Sequence, residues 1–193
     1  SLFNYGDMST TSFHATKLFH TGEGGALFCE DESIYHEIHY RHNFGHHGRE
    51  NFHGVGINAK MCELQAAMGL SILPYMEHVI SERKLVCEYY DTHLDFTKLE
   101  TFKLRDHTTW NYVYYPIIFK DEESLLRAKS SLEENSIFPR RYFYPSLENL
   151  PYINSNCCNL TESIASRVLC LPLYVGLEKT EQNKIIELIN EKL

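Results

Sequence analysis

Ser12-Phe13-His14-Ala15-Thr16-Lys17, followed at Thr21 by Thr21-Gly22-Glu23-Gly24-Gly25-Ala26, decides how this chain is read. A lysine set between a strand end and a glycine-rich turn can be stripped of water and kept partly neutral. A neutral amine condenses with carbonyl groups, whereas an ordinary surface lysine is a solvated charge. Working outward, Ser9 to Phe13 alternates hydroxyl and apolar side chains and reads as a short strand. Ala26 to Cys29 reads as the strand that returns after the glycines. Gly22, Gly24 and Gly25 suit a tight hairpin turn and also allow main-chain amides to come close; we take them as shaping the lysine's loop, with no direct ligand role. Glu23 reads equally as an active-site carboxylate or as a solvated turn residue, and His14 is a weak candidate beside a packed strand histidine.

At 193 residues, with 43% hydrophobic and 13% aromatic side chains, the chain has material for a real core in one or two domains. No run of about eighteen apolar residues exists, which excludes a helical membrane span. The formal charge of −8 argues against a nucleic-acid or anionic-membrane partner, so any phosphate must be met by local donors. Six cysteines lack CxxC spacing, with a vicinal pair, Cys157-Cys158, in a polar loop beside Asn154, Ser155 and Asn156. The composition is that of a cytoplasmic enzyme, so the thiols are expected to be reduced and mostly buried.

Asp31 to His42 reads as a helix with Ile34 and Ile38 on one face, and His42 to Ile57, holding Gly45, Gly48, Gly54 and Gly56, as a loop. Asn58 stands where a helix cap belongs, ahead of Met61, Leu64, Met68 and Leu70 to Ile72. Pro74 interrupts, and a long helix follows from Tyr75 to about His93. Beyond Leu94, strands at Tyr112 to Phe119 and Val168 to Leu171 alternate with helices at Glu122 to Asn135 and after Thr180. The last helix should bury Ile185, Leu188, Ile189 and Leu193. The pattern is α/β, with a boundary near residues 75 to 95.

Three stretches carry a family resemblance. SFHATK with TGEGGA resembles the cofactor-lysine segment of the DegT/DnrJ/EryC1/StrS family of pyridoxal-phosphate-dependent nucleotide-sugar aminotransferases. Gly56-Ile57-Asn58-Ala59-Lys60-Met61, with Glu63 to Ala67 behind it, matches a second motif, and Arg140 to Pro145 resembles the substrate-facing turn. The resemblance implies a fold-type I aminotransferase: residues 1–80 as the C-terminal part of the large cofactor-binding domain, and 81–193 as the small C-terminal α/β domain. In that family the lysine lies near mid-chain, so Ser1 to Asp7 reads as the middle of the large domain. This sequence is then a C-terminal half, inactive alone.

By the same resemblance Lys17 carries pyridoxal 5'-phosphate and shuttles the proton, and Ser12 hydrogen-bonds the phosphate; the plain alternative is a strand hydroxyl satisfied by backbone. Asn58 reaches across a homodimer interface to the neighbour's cofactor phosphate, or else merely caps its own helix. Arg141, Tyr142 and Tyr144 face the substrate, or pack as aromatics and surface arginines on a small sheet; the histidine many relatives place near Tyr142 is missing. The implied reaction moves an amino group from an amino acid donor, glutamate, to a nucleotide-linked 3- or 4-keto-6-deoxy-sugar bound for surface polysaccharide or a glycosylated metabolite. Relatives that dehydrate sugars replace the lysine, and Lys17 is present. A rival signal is His36, His39, His42, His46, His47 and His53, which suggest a metal-binding or interaction fragment; no cysteine or acid is spaced to complete a metal site, and none is expected.

Overall fold

In a computed structural model the described residues are 1–154 and 158–193, so Cys157 of the vicinal pair lies outside them. They form two compact units, Ser1–Met76 and Glu77–Leu193.

The first unit is built on a hairpin. Strand β1 (Met8–Ser12) pairs antiparallel with β2 (Gly25–Cys29), with Ser12 opposite Gly25 and Met8 opposite Cys29. The register needs glycine at its closing pair, because a Cβ on Gly25 would stand 2.8 Å from the Thr11 carbonyl oxygen. Helix α1 (Glu32–Arg41) starts where Asp31 accepts the amides of Ser33 (2.7 Å) and Ile34 (3.2 Å). The loop that follows folds on itself through bridges between His46 and Phe52 and between Asn43 and Asn58. Gly45, at φ +76°, lies so close to the Gly54 carbonyl oxygen that a Cβ would sit 1.8 Å from it.

Helix α2 (Glu63–Ile72) does not begin at Asn58. The bridge to Asn43, and the Ala59 amide donating to the His42 carbonyl (2.9 Å), keep the chain extended past Asn58. Cys62 becomes the cap residue, with Gln65 Oε1 accepting its amide at 2.9 Å. Leu73–Tyr75 then forms a 3₁₀ turn at Pro74. Every buried hydrophobic side chain among the described residues lies in the other unit; here Leu2, Tyr5, Val55, Ile57, Leu64 and Leu70 are exposed.

In the second unit β3 (Tyr115–Ile118) pairs antiparallel with β4 (Val168–Leu171), Tyr115 opposite Leu171 and Ile118 opposite Val168. Around them stand α3 (Met76–His93), α4 (Glu122–Glu134), α5 (Asn159–Arg167) and α6 (Lys179–Asn190). The core joins Tyr90 and Cys87 of α3, Leu125 and Leu132 of α4, Ile117, Leu169, Ile185 and Ile189. Each such side chain contributes about 1.5–3 kcal/mol by leaving water.

Several expected boundaries move. β3 is shorter than Tyr112 to Phe119 because Tyr112 has φ +55° and cannot continue a strand. Arg83 holds that bend: its guanidinium donates to the carbonyls of Tyr112, Val113 and Leu173, each at 2.7 Å. Helix α6 is capped by Glu178, not Thr180, since Glu181 turns back to accept the Glu178 amide at 3.1 Å. Ile185, Ile186 and Ile189 are its buried apolar residues, while Leu188 and Leu193 pack at the core's margin. The thiols divide evenly: Cys87 and Cys170 are buried, Cys62 and Cys158 exposed, and Cys29 lies between.

Candidate active site

The lysine turn hangs from the open end of the hairpin. Phe13 donates its amide to the Gly24 carbonyl (2.8 Å) and accepts the Thr21 amide (2.9 Å), which closes residues 13 to 24 into one loop. Thr21 is buried, and its hydroxyl donates to the Glu23 carbonyl at 2.7 Å. Helix α2 presents Gly69 to the loop so tightly that a Cβ would meet Thr21 Cγ2 at 2.9 Å and Phe19 Cζ at 3.4 Å. Thr21 and Gly69 are supports that motif reading did not single out. A glycine inside an otherwise regular helix was the available signal.

Within this loop, Lys17 donates its amide to the His14 carbonyl at 2.9 Å, and the His14 amide donates to Ser12 Oγ at 3.2 Å. Ser12 and Lys17 are thus brought to one turn. Ser12 Oγ is used as an acceptor, which leaves its hydroxyl proton to donate outward. The Lys17 side chain is exposed and enters no ion pair among the described residues. This turn by itself therefore does not shield Lys17 from water.

Asn58 sits apart from that turn, and no hydrogen bond joins it to Ser12 or Lys17 among the described residues. Its Oδ1 accepts from Lys60 Nζ at 2.6 Å, and Lys60 in turn lies 4.3 Å from the Phe44 ring centre. The amide NH₂ stays available as a donor. An amine, a hydroxyl and a side-chain amide with uncommitted donors match what an aldehyde bearing a phosphate requires.

In the second unit the two adjacent arginines have different surroundings. Arg141 turns inward: it donates to Glu122 Oε1 (2.7 Å) and the Ser166 carbonyl (2.9 Å), and its guanidinium lies 3.6 Å from the Tyr144 ring centre. With its side chain 15% exposed, Arg141 ties α4 to the end of α5. Arg140 is exposed and hydrogen-bonds the Tyr142 hydroxyl, while its backbone bridges to Cys170 of β4. Tyr142 meets Tyr114 edge-on and stacks on Phe143; burial, then the neighbouring Tyr142, pushes the Tyr114 phenol above its ordinary range. Trp110, beside Tyr112 and Phe102, packs against the core.

The clustered histidines serve as ring and hydrogen-bond partners. His53 and His47 lie against Tyr40, His46 against Phe52, and His53 pairs with Glu37. Among the described residues no three His, Cys, Asp or Glu side chains converge to hold a metal. No described helix is long and apolar enough to cross a membrane.

The family model of the DegT/DnrJ/EryC1/StrS aminotransferase family matches residues 2–190. Over 198 aligned residues the chain is 34% identical to the dTDP-4-amino-4,6-dideoxy-D-glucose transaminase of Shigella dysenteriae, covering 99% of this chain and 54% of that protein. It shares its fold with the aminotransferase TlmJ from Streptoalloteichus hindustanus (TM-score 0.88, 22% identity, 97% of this chain and 52% of that one). DesI, solved in the presence of its TDP-sugar product, superimposes with a TM-score of 0.84 at 30% identity over 96% of this chain and 49% of that one. The chain spans about half the length of the curated relatives it matches.

Proposed function

This chain belongs to the DegT/DnrJ/EryC1/StrS aminotransferase family, whose cofactor is pyridoxal phosphate, and from that premise we propose that its protein transfers an amino group from glutamate to a nucleotide-linked 4-keto-6-deoxy-sugar. The observation that carries the reading is the single turn uniting Ser12 and Lys17 through His14. When bound, pyridoxal phosphate supplies the electron sink that lets a hydrogen leave the nitrogen-bearing carbon. Lys17 Nζ anchors the cofactor and moves that proton. Ser12 donates its hydroxyl to the phosphate. Asn58 donates its amide to the phosphate of a neighbouring subunit in a homodimer, which agrees with its distance in hydrogen bonding from Ser12 and Lys17.

Residues 1–80 then belong to the large cofactor-binding domain and 81–193 to the small domain. Tyr142 and Tyr144 present ring and hydroxyl to the sugar. The inward pairing of Arg141 with Glu122 favours Arg140 for the diphosphate. A dTDP-sugar is favoured by the dTDP-linked sugar in the Shigella relative's name and by the TDP-sugar product of DesI. The retained Lys17 speaks against dehydration.

The test is a visible spectrum of the protein with pyridoxal phosphate, followed by borohydride reduction and peptide mapping. A band that glutamate shifts, with a pyridoxyl group on Lys17 and none in Lys17→Ala, is expected. A band unmoved by glutamate would remove the donor; label on another lysine would remove the site.

A further inference from the structure

His14 touches both Ser12 and Lys17 through its backbone, and its ring is held as well. Nδ1 accepts the Thr16 backbone amide at 3.2 Å and lies 3.0 Å from Thr16 Oγ1. A main-chain N–H is always a donor, so Nδ1 must be the bare nitrogen, and the neutral ring carries its proton on Nε2. Nε2 faces Glu23 Oε1 at 3.7 Å, on the far side of the loop. Packing does not account for this placement: the side chain is 46% exposed and no aromatic ring among the described residues lies against it. Nor does the bond rescue a buried donor, since Thr16 is itself exposed and water would serve its amide. What the ring does is replace mobile water with a fixed acceptor one residue before Lys17.

We propose that His14, as the Nε2–H tautomer, is the positioning residue of the lysine turn: its ring fixes the Thr16 amide and so the direction in which Lys17 leaves the backbone, while its own amide orients the Ser12 hydroxyl. The proposal rests on the reading of Lys17 as the cofactor lysine; the tautomer and the turn do not. Losing the ring frees about one residue's backbone, which should slow capture of the cofactor aldehyde by Lys17 about tenfold. Asparagine at this position keeps an acceptor at the place of Nδ1 and should restore the turn.

The experiment compares the full protein with His14→Ala and His14→Asn. Ring nitrogen shifts, recorded by NMR without added cofactor, should show the Nε2–H tautomer. Hydrogen exchange at the Thr16 amide should be slow in the parent and in His14→Asn, and at least about tenfold faster in His14→Ala. The rate of borohydride-fixed pyridoxyl labelling at Lys17 should fall about tenfold in His14→Ala and stay within about threefold in His14→Asn. An Nδ1–H tautomer, unchanged Thr16 exchange in His14→Ala, or equal labelling in His14→Ala would each overturn the proposal. So would His14→Asn labelling as slowly as His14→Ala. If the tautomer and exchange results hold but the parent takes no label at Lys17, the fault lies with the cofactor reading, and the link to Lys17 falls with it.

Discussion

Replacing Arg83 by methionine should unfold the second unit at much lower denaturant. The guanidinium spans three carbonyls that no other group among the described residues serves, those of Tyr112 and Val113 before β3 and of Leu173 after β4. Burial pulls the Arg83 pKa down, the expected penalty of taking a cation out of water, and the three bonds offset it. Hydrogen bonds to a charged group contribute about 1.5–3 kcal/mol each, but they are not additive and water can reach part of the vacated site. A net loss of about 3 kcal/mol follows, and with a urea slope near 1.5 kcal/mol/M the midpoint should fall by about 2 M. Trp110 is the sole tryptophan and packs on Tyr112 and Tyr115, so its fluorescence reports this unit. Arg83→Lys keeps the charge but not the fork, and should lose roughly half as much. A shift under about 0.5 M in Arg83→Met would refute the idea that this residue sets the end of β3.

Gly45→Ala should open the 42–57 loop to proteolysis, because its Cβ would collide with the Gly54 carbonyl at 1.8 Å; Gly48→Ala, also at positive φ but with open space around it, should be far milder. Arg141→Gln should lower the Trp110 urea midpoint by an amount equivalent to about 2 kcal/mol, while exposed Arg140→Gln should move it by under about 0.5 kcal/mol. Native alkylation near pH 8 should mark Cys62 and Cys158, whose thiol the Thr161 hydroxyl helps ionise, and spare Cys87 and Cys170. Burial pushes Cys170 up to about 11 and Cys87 up to about 12, from 9.0 in the unfolded chain. Folded thiols therefore keep protons that unfolded ones release, so stability should be constant below pH 9 and fall between pH 9 and 12. Cys87→Ala should flatten part of that fall.

Local pattern carried most of the architecture. The hairpin around Lys17, α1 from its Asp31 cap, and β4 at Val168–Leu171 follow from alternation, capping and helical period, which depend on residues within a turn of one another. The α5 helix was missed because its nine residues offer only Leu160, Ile164 and Ala165 as apolar positions, too short a run for their helical spacing to stand out. Glu178 took the place of Thr180 as a cap because two glutamates three apart close the same box a threonine would.

By itself, then, the sequence determined the family, the lysine turn and the order of elements, since motif and periodicity are written in neighbouring positions. Only the tertiary structure decided that Arg141 turns inward to Glu122 and Ser166 while Arg140 stays outside, and that Tyr112 bends under Arg83 so that β3 starts three residues late. It also decided that Asn58 is held extended by Asn43 instead of capping α2, and that the Lys17 side chain is exposed. The placements of Arg141, Tyr112 and Asn58 each depend on a partner 15 to 29 residues away. A guanidinium, an amide or an ammonium carries no local signature of which distant carbonyl, carboxylate or surface will meet it.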